Sequence, residues 1–330
     1  MSTQFTSKPR NLLHYNKPGS ASVLLAGLPI RPMKSQKNYE RVFSFEFFPP
    51  KDEEGAVKLR ATYCKLANLK PRFFSVTFGA GGSTRDRTLG TALEIQHDSG
   101  VEAAPHISCI GSTRAEISKV LETYRQHGVR HIVALRGDVP SGMHGFGELR
   151  YANELVEFIR SETGDHFTIE VAAYPEFHPQ APSARANLEH FRCKVEAGAN
   201  GAITQYFYNV DAYLRFVDDC ESMGIDLPIV PGVMPILNYS QLARFSEACG
   251  AEIPRWIRKR LEGFGDDRHA IRKFGIEVTT QLCAELLERG APGLHIYTMN
   301  LATATEAIWK NLGLVDVDRQ VAEEMKQTGS

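Results

Sequence analysis

Phe43–Pro50 reads FSFEFFPP: aromatic residues surround a single carboxylate, Glu46, and the run stops at two prolines. Proline fixes φ and lacks the N–H that a ladder needs, so a strand here ends beside its acid. Side chains alternate along a strand, which puts Ser44 and Glu46 on one face and Phe43, Phe45 and Phe47 on the other. A carboxylate amid so much apolar surface is costly to ionise, and burial raises its pKa. Glu46 is therefore expected to hold a proton near neutral pH and to donate it. A glutamate turned to solvent or tied in a salt bridge is the plain alternative.

Outward from this stretch, short β-branched or aromatic runs alternate with longer helical periodicity. Eight strands are expected, at Val42–Phe47, Phe73–Thr77, Glu102–Ser108, His131–Leu135, Thr168–Ala172, Gly201–Gln205, Ile229–Val233 and Gly293–Tyr297. Helical patterns fall near Glu53–Asn68, Arg85–Asp98, Thr113–His127, Glu148–Glu162, Ala184–Ala197, Val210–Met223 and Tyr239–Ala248. Ser83 or Thr84 and Ser112 or Thr113 supply N-caps, while Gly100, Gly128, Gly198 and Gly224 stand where helices should stop. Strands recurring about every 30 residues with a helix between are parallel neighbours, and eight such units predict an α/β fold, a (β/α)8 TIM barrel over residues 42–316. Pro254–Leu261 and Arg268–Leu287 read as extra helices between strands 7 and 8. A doubly wound open sheet is the alternative, but no GxGxxG follows a strand and GAGG at Gly79–Gly82 lacks that spacing.

The 330 residues, 42% of them hydrophobic, suffice for a large core, and the net charge of -1 is spread evenly. No nucleic-acid or membrane partner is expected, and the chain reads as cytoplasmic. Six cysteines form no CxxC and do not cluster with histidines, which argues for a reducing compartment without disulfides or structural zinc. Residues 1–41 differ: seven Lys or Arg stand against one acid, Glu40, and the apolar patch Val23–Ile30 is too short to span a bilayer. They read as an N-terminal extension, flexible or partly docked, and a basic leader of this kind also resembles an organellar presequence. Residues 317–330 read as a C-terminal tail.

In a parallel barrel, reacting groups gather at the C-terminal strand ends. Those positions hold Glu46, Thr77, Ala80, His106, Arg136, Gly137, Asp138, Tyr174, Glu176, His178, Gln205, Asn238 and Tyr239. Arg136 and Asp138 could form a local ion pair, His106 and His178 could be structural, and Tyr239 could be core. Glu46, His106, Asp138 and His178 are also the residue types of a metal site, so a metal-dependent barrel lyase or hydrolase stays open on chemistry alone.

Read together, FSFEFFPPK, SVTFGAGGSTRDRT, EAAPHISC, HIVALRGDVP, VAAYPEFHP, KVEAGANGAITQYFY, PGVMPI and HIYTMN resemble the methylenetetrahydrofolate reductase family in its bacterial catalytic-domain form. The match runs in order from Val42 to Leu314. The resemblance implies a (β/α)8 barrel with non-covalent FAD that reduces 5,10-methylenetetrahydrofolate to 5-methyltetrahydrofolate with NADH or NADPH, by ping-pong turnover, in one-carbon metabolism and methionine synthesis. It implies a small-molecule substrate, no metal, a homo-oligomer, and no regulatory domain after the barrel. Carried onto this sequence, Glu46 is the general acid and Asp138 the acid beside flavin and pterin. Gln205 holds the folate and Tyr239 packs on it. Cofactor contacts fall on Thr77, Ala80, His106, Arg136, Gly137, Asp138, Tyr151, Ala152, Ala172, Tyr174, His178, Asn187 and Lys194.

The sequence departs from the family pattern in several places. Asn187 replaces a usual Asp but keeps the capacity to bond a ribose hydroxyl, His190 stands where Asn occurs, and Cys193 replaces a basic residue that grips the pyrophosphate. Leu301 stands where many members have Arg, and the Val139–Leu149 loop is long and glycine-rich. Other flavin-dependent barrels of the proline-dehydrogenase kind, or a non-catalytic folate- or flavin-binding subunit, are the alternatives.

Overall fold

The computed structural model describes residues 33–78, 83–137 and 147–314, without the side chains of 83–86. Among the described residues nine parallel strands form one sheet in the order β7-β6-β5-β4-β3-β2-β1-β9-β8. The strands are β1 (Val42–Phe47), β2 (Phe73–Val76), β3 (Glu102–Ser108), β4 (His131–Leu135), β5 (Thr168–Ala173), β6 (Gly201–Thr204), β7 (Ile229–Val230), β8 (Gly232–Val233) and β9 (Gly293–Tyr297). The expected seventh strand is thus two pieces. Pro231 between them has no N–H to donate, so β7 continues the ladder from β6 while β8 pairs with β9. Gly232 N donates to Thr204 Oγ1 at 2.9 Å across the seam. The result is a nearly closed (β/α)8 barrel.

Helices α1 (Glu53–Ala67), α2 (Ser83–Ser99), α3 (Arg114–Gln126), α4 (Ala152–Thr163), α5 (Ala184–Glu196) and α6 (Val210–Ser222) follow the first six strands. α7 (Tyr239–Cys249), α8 (Arg255–Phe264) and α9 (Arg268–Arg289) fill the seventh connection, and α10 (Ala302–Asn311) follows β9. α3 begins as expected, on a reciprocal capping box between Thr113 and Glu116. The cap expected at Ser83 or Thr84 lies outside the described side chains. α4 starts later than its periodicity predicts, because the Glu148 carboxylate accepts from Arg114 N (2.8 Å) and its N–H bonds Ser112 O, which ties that residue to the loop before α3. α10 was not among the expected helices. Its Trp309 is fully buried, edge-on to Phe45 (5.0 Å) and Phe43 (5.4 Å).

The strand alternation reads directly in the packing. Phe45 and Phe47 point outward to Phe74 and the helices, in the layer that forms the main core. Inside the barrel, Phe73, Ala104, Val133 and Ile203 make a second, smaller apolar cluster. Below it, at the N-terminal end, His131 lies between Glu170 (Nε2 to Oε1, 3.4 Å) and Glu102 (Nδ1 to Oε2, 3.8 Å) against the ring of Phe73. Burial works to lower the His131 pKa, but the two carboxylates outweigh it and push it up to about 9. The segment before β1 is held at several points: Gln36 is buried, donating to Leu227 O and accepting from Ile229 N, and Tyr39 donates to Asp226. All six cysteines are free thiols.

Candidate active site at the barrel mouth

Glu46 is the fifth residue of β1, and register places it opposite Ser75 on β2 and Tyr297 on β9. Its side chain enters the barrel and is 12% exposed. Oε2 lies 3.3 Å from His106 Nε2 and 3.6 Å from His295 Nε2, and it accepts from Ser75 Oγ at 3.4 Å. Among the described residues neither Nε2 is aligned as a hydrogen-bond donor to any group. The expectation that aromatic neighbours keep Glu46 neutral is overturned here. The phenylalanines share the opposite face of β1, and the acid's neighbours are imidazoles. Burial works to raise its pKa, but His106 and His295 outweigh that and hold it at about 2.

The backbone around Glu46 is tied to β9. Thr298 Oγ1 donates to Glu46 O at 2.6 Å, and the Asn300 amide bonds both the N–H and the C=O of Phe48. His295, Ser75, Thr298 and Asn300 were not singled out by sequence. The only available signal was position, since HIYTMN ends a barrel strand.

Other expected positions gather at the same strand ends. Thr77 follows β2, its N–H on Phe47 O and its carbonyl accepting from Thr88. Arg136 and Gly137 follow β4. Gly137 has φ +86°, and a Cβ there would stand 2.0 Å from Ser108 Oγ, itself donating to Arg136 O, so only glycine fits. Tyr151 is the exposed N-cap of α4 and Ala152 its first residue.

After β5, Tyr174 stacks edge-on to His178 at 4.7 Å. Asn187 on α5 joins them: its Oδ1 accepts from His178 N (3.1 Å) and its Nδ2 donates to Tyr174 O (3.0 Å). That amide therefore shapes the β5–α5 loop whatever else it bonds. Lys194, also on α5, is half-buried and donates to Ala172 O, with the rings of Phe191 and Tyr174 at 5.5 and 5.9 Å. Its ammonium has no carboxylate partner among the described residues, and burial lowers its pKa to about 8.

Gln205 follows β6, donating its N–H to Ala173 O and folding its side chain onto Tyr206 N. It lines a small cleft with Tyr174, Glu176, Phe177, Tyr206 and Cys249, where burial raises the Glu176 pKa and Glu252 N donates to its carboxylate. Tyr239 opens α7 above this end, behind the Asn238 cap. Leu301, exposed, stands between Asn300 and α10. His190 and Cys193 lie on α5. Ala80, Asp138 and with it the Arg136–Asp138 pairing, and most of the Val139–Leu149 loop lie outside the described residues. Among the described residues no three His, Cys, Asp or Glu converge as metal ligands, and no helix is long and apolar enough to cross a membrane.

Fold and site together define a parallel (β/α)8 barrel with a buried acid and a polar cradle at its C-terminal mouth. Residues 32–313 match the family model for methylenetetrahydrofolate reductase, and the chain belongs to that family. It is 43% identical over 271 residues to the 5,10-methylenetetrahydrofolate reductase of Escherichia coli, covering 82% of this chain and 90% of the relative. It is 40% identical over 290 residues to methylenetetrahydrofolate reductase (NADH) 1 of Arabidopsis thaliana, covering 84% of this chain and 49% of that one. A similar solved structure is a Clostridium thermocellum protein described as binding two copies of 5-methyl-5,6,7,8-tetrahydrofolic acid. It has a TM-score of 0.60 at 17% identity and covers 84% of this chain and 96% of that one, which bears on the fold alone.

Proposed function

We propose that this chain reduces methylenetetrahydrofolate to 5-methyltetrahydrofolate, with FAD as bound cofactor and NADH or NADPH as donor in a ping-pong cycle. The observation that carries the reading is Glu46, a carboxylate inside the barrel mouth of a chain that belongs to this family.

The residues fit a flavin dinucleotide. Lys194 is a half-buried cation without a carboxylate partner among the described residues, which suits a pyrophosphate, and Gly137 lets backbone approach closely. Thr77, Ala80, His106, Arg136, Gly137, Asp138, Tyr151, Ala152, Ala172, Tyr174, His178, Asn187 and Lys194 would hold it, and Gln205 and Tyr239 would hold the folate. A flavin held there would supply the hydride chemistry that links the nicotinamide to the folate.

The protein's part is proton transfer and electrostatics. Opening the folate's five-membered ring needs a proton on the departing nitrogen, and Glu46 would give it. Asp138, kept ionised, would favour the cationic iminium form that accepts hydride. Because the imidazoles favour the carboxylate form of Glu46, a proton has to return to it before each delivery.

The test is the absorbance of the purified chain. A flavin spectrum that bleaches with NADH and returns on adding methylenetetrahydrofolate is expected. A protein that stays colourless and inert after reconstitution with FAD would overturn the reading.

A further inference from the structure

The cleft that holds Gln205 is walled on one side by residues 174–177, from the loop between β5 and α5, and on the other by residues 249–251, where α7 gives way to α8. The two walls meet at a seam. There the Glu176 carboxylate accepts from Glu252 N at 2.8 Å. Gly250, at φ 76°, lies so close to the loop that a Cβ would stand 2.8 Å from Pro179 Cγ. Phe177, between Glu176 and Pro179, holds φ 62°, a backbone that strains a side chain and persists where its surroundings impose it.

Glu176 is half-buried and Glu252 exposed, so water competes for their bond and the fold gains little from it. Its consequence is local. Deeper in, the Tyr206 hydroxyl lies 3.0 Å from Ser246 Oγ, both residues buried, and anchors the last turn of α7 to the segment after β6. By helix rise α7 is about 16 Å long, with Tyr239 at its far end. Release at the seam would let the helix tilt about that anchor, widen the cleft and shift Tyr239.

We propose that Glu176 is a positioning residue: by gripping the connection between α7 and α8 it sets the width of the Gln205 cleft and the placement of Tyr239, and so how tightly folate is held. This rests on the reading that Gln205 and Tyr239 hold the folate. Glu176 acts through the backbone of Glu252 and needs only an acceptor oxygen there. Its charge is not used. The bond does not reach the reacting atoms, so it governs the folate concentration needed for half-saturation and not the rates reached at saturation.

Glu176→Ala, Glu176→Gln and Gly250→Ala test the assignment in the purified holoenzyme, by the methylenetetrahydrofolate concentration that half-saturates reoxidation of the NADH-reduced protein. Glu176→Ala should raise that concentration about three- to tenfold, the worth of one hydrogen bond, with the saturated rates of reoxidation and of bleaching by NADH unchanged. Glu176→Gln keeps an acceptor without the charge and should stay within about twofold of the wild type. Gly250→Ala, which pushes the connection off Pro179 from the other side, should resemble Glu176→Ala. Hydrogen exchange at the Glu252 amide should quicken in Glu176→Ala and not in Glu176→Gln. An unchanged half-saturation in Glu176→Ala, a Glu176→Gln as impaired as Glu176→Ala, a loss carried by the saturated rates, or a Glu252 amide indifferent to Glu176 would overturn the proposal. A wild-type chain that NADH bleaches but folate never reoxidises would sink the proposed reaction and the folate role of Glu176 with it; quickened exchange in Glu176→Ala would then leave the seam standing as a contact alone.

Discussion

Thr298 Oγ1 donates to the carbonyl of Glu46 at 2.6 Å, so the strand that closes the barrel also fixes the backbone of its buried acid. Asn300, at φ 56°, completes the tie through Phe48. Removing the Thr298 hydroxyl as Thr298→Val should cost about 1 kcal/mol of stability, the worth of one hydrogen bond. It should slow folate-driven reoxidation more than NADH-driven bleaching. Thermal unfolding together with the two half-reaction rates checks this, and an equal effect on both rates would count against a link to Glu46.

His131 makes stability depend on pH. Its folded pKa is raised to about 9, above the ordinary histidine value near 6.5, so its contribution is complete below the unfolded value and fades as pH rises through 9. The most it can supply is roughly 3 kcal/mol, from about 1.4 kcal/mol for each pH unit. Denaturant midpoints of the wild type should fall from neutral to alkaline pH. In His131→Leu that particular loss should be absent, from a lower starting stability, since Glu102 and Glu170 lose the cation between them.

Lys194 separates cofactor binding from folding. A desolvated ammonium with no carboxylate partner among the described residues is costly, so Lys194→Met should leave the flavin-free chain as stable as the wild type or more so. The same change should weaken FAD retention by about tenfold or more, through loss of a charge-assisted contact. Equilibrium dialysis against FAD and melting of the apoprotein give the two numbers. Unaltered FAD affinity would remove Lys194 from the cofactor site.

Gly137→Ala places a Cβ 2.0 Å from Ser108 Oγ and 2.8 Å from Ile110 Cγ2 at a φ that disfavours side chains. Strain of this kind costs roughly 1–3 kcal/mol. A lower melting temperature and lower flavin content on purification are expected, and a variant with wild-type values for both would contradict the close packing described here.

Much of this architecture is written locally in the chain. Alternation in FSFEFF already separates Ser44 and Glu46 from the phenylalanines, and the recurring strand–helix rhythm predicts the parallel barrel. What surrounds Glu46 depends instead on register between strands far apart in sequence. His106 and His295 reach it from β3 and β9, about 60 and 250 residues away, and neither distance nor facing can be read from β1 alone. That is why an acid in an aromatic segment reads as neutral but sits among imidazoles as a carboxylate. The same holds for Asn187, whose bonds to Tyr174 and His178 exist only once α5 has folded back on the β5 loop. Ile229–Val233 reads as one strand, and its division at Pro231 between two neighbours is a property of the closing seam.

The most direct measurement is stopped-flow spectroscopy of Glu46→Gln. The isosteric amide cannot supply the proton, so the variant should keep its flavin and bleach with NADH at about the wild-type rate, then fail to recover colour with methylenetetrahydrofolate. Recovery at the wild-type rate would show that the ring opens without Glu46.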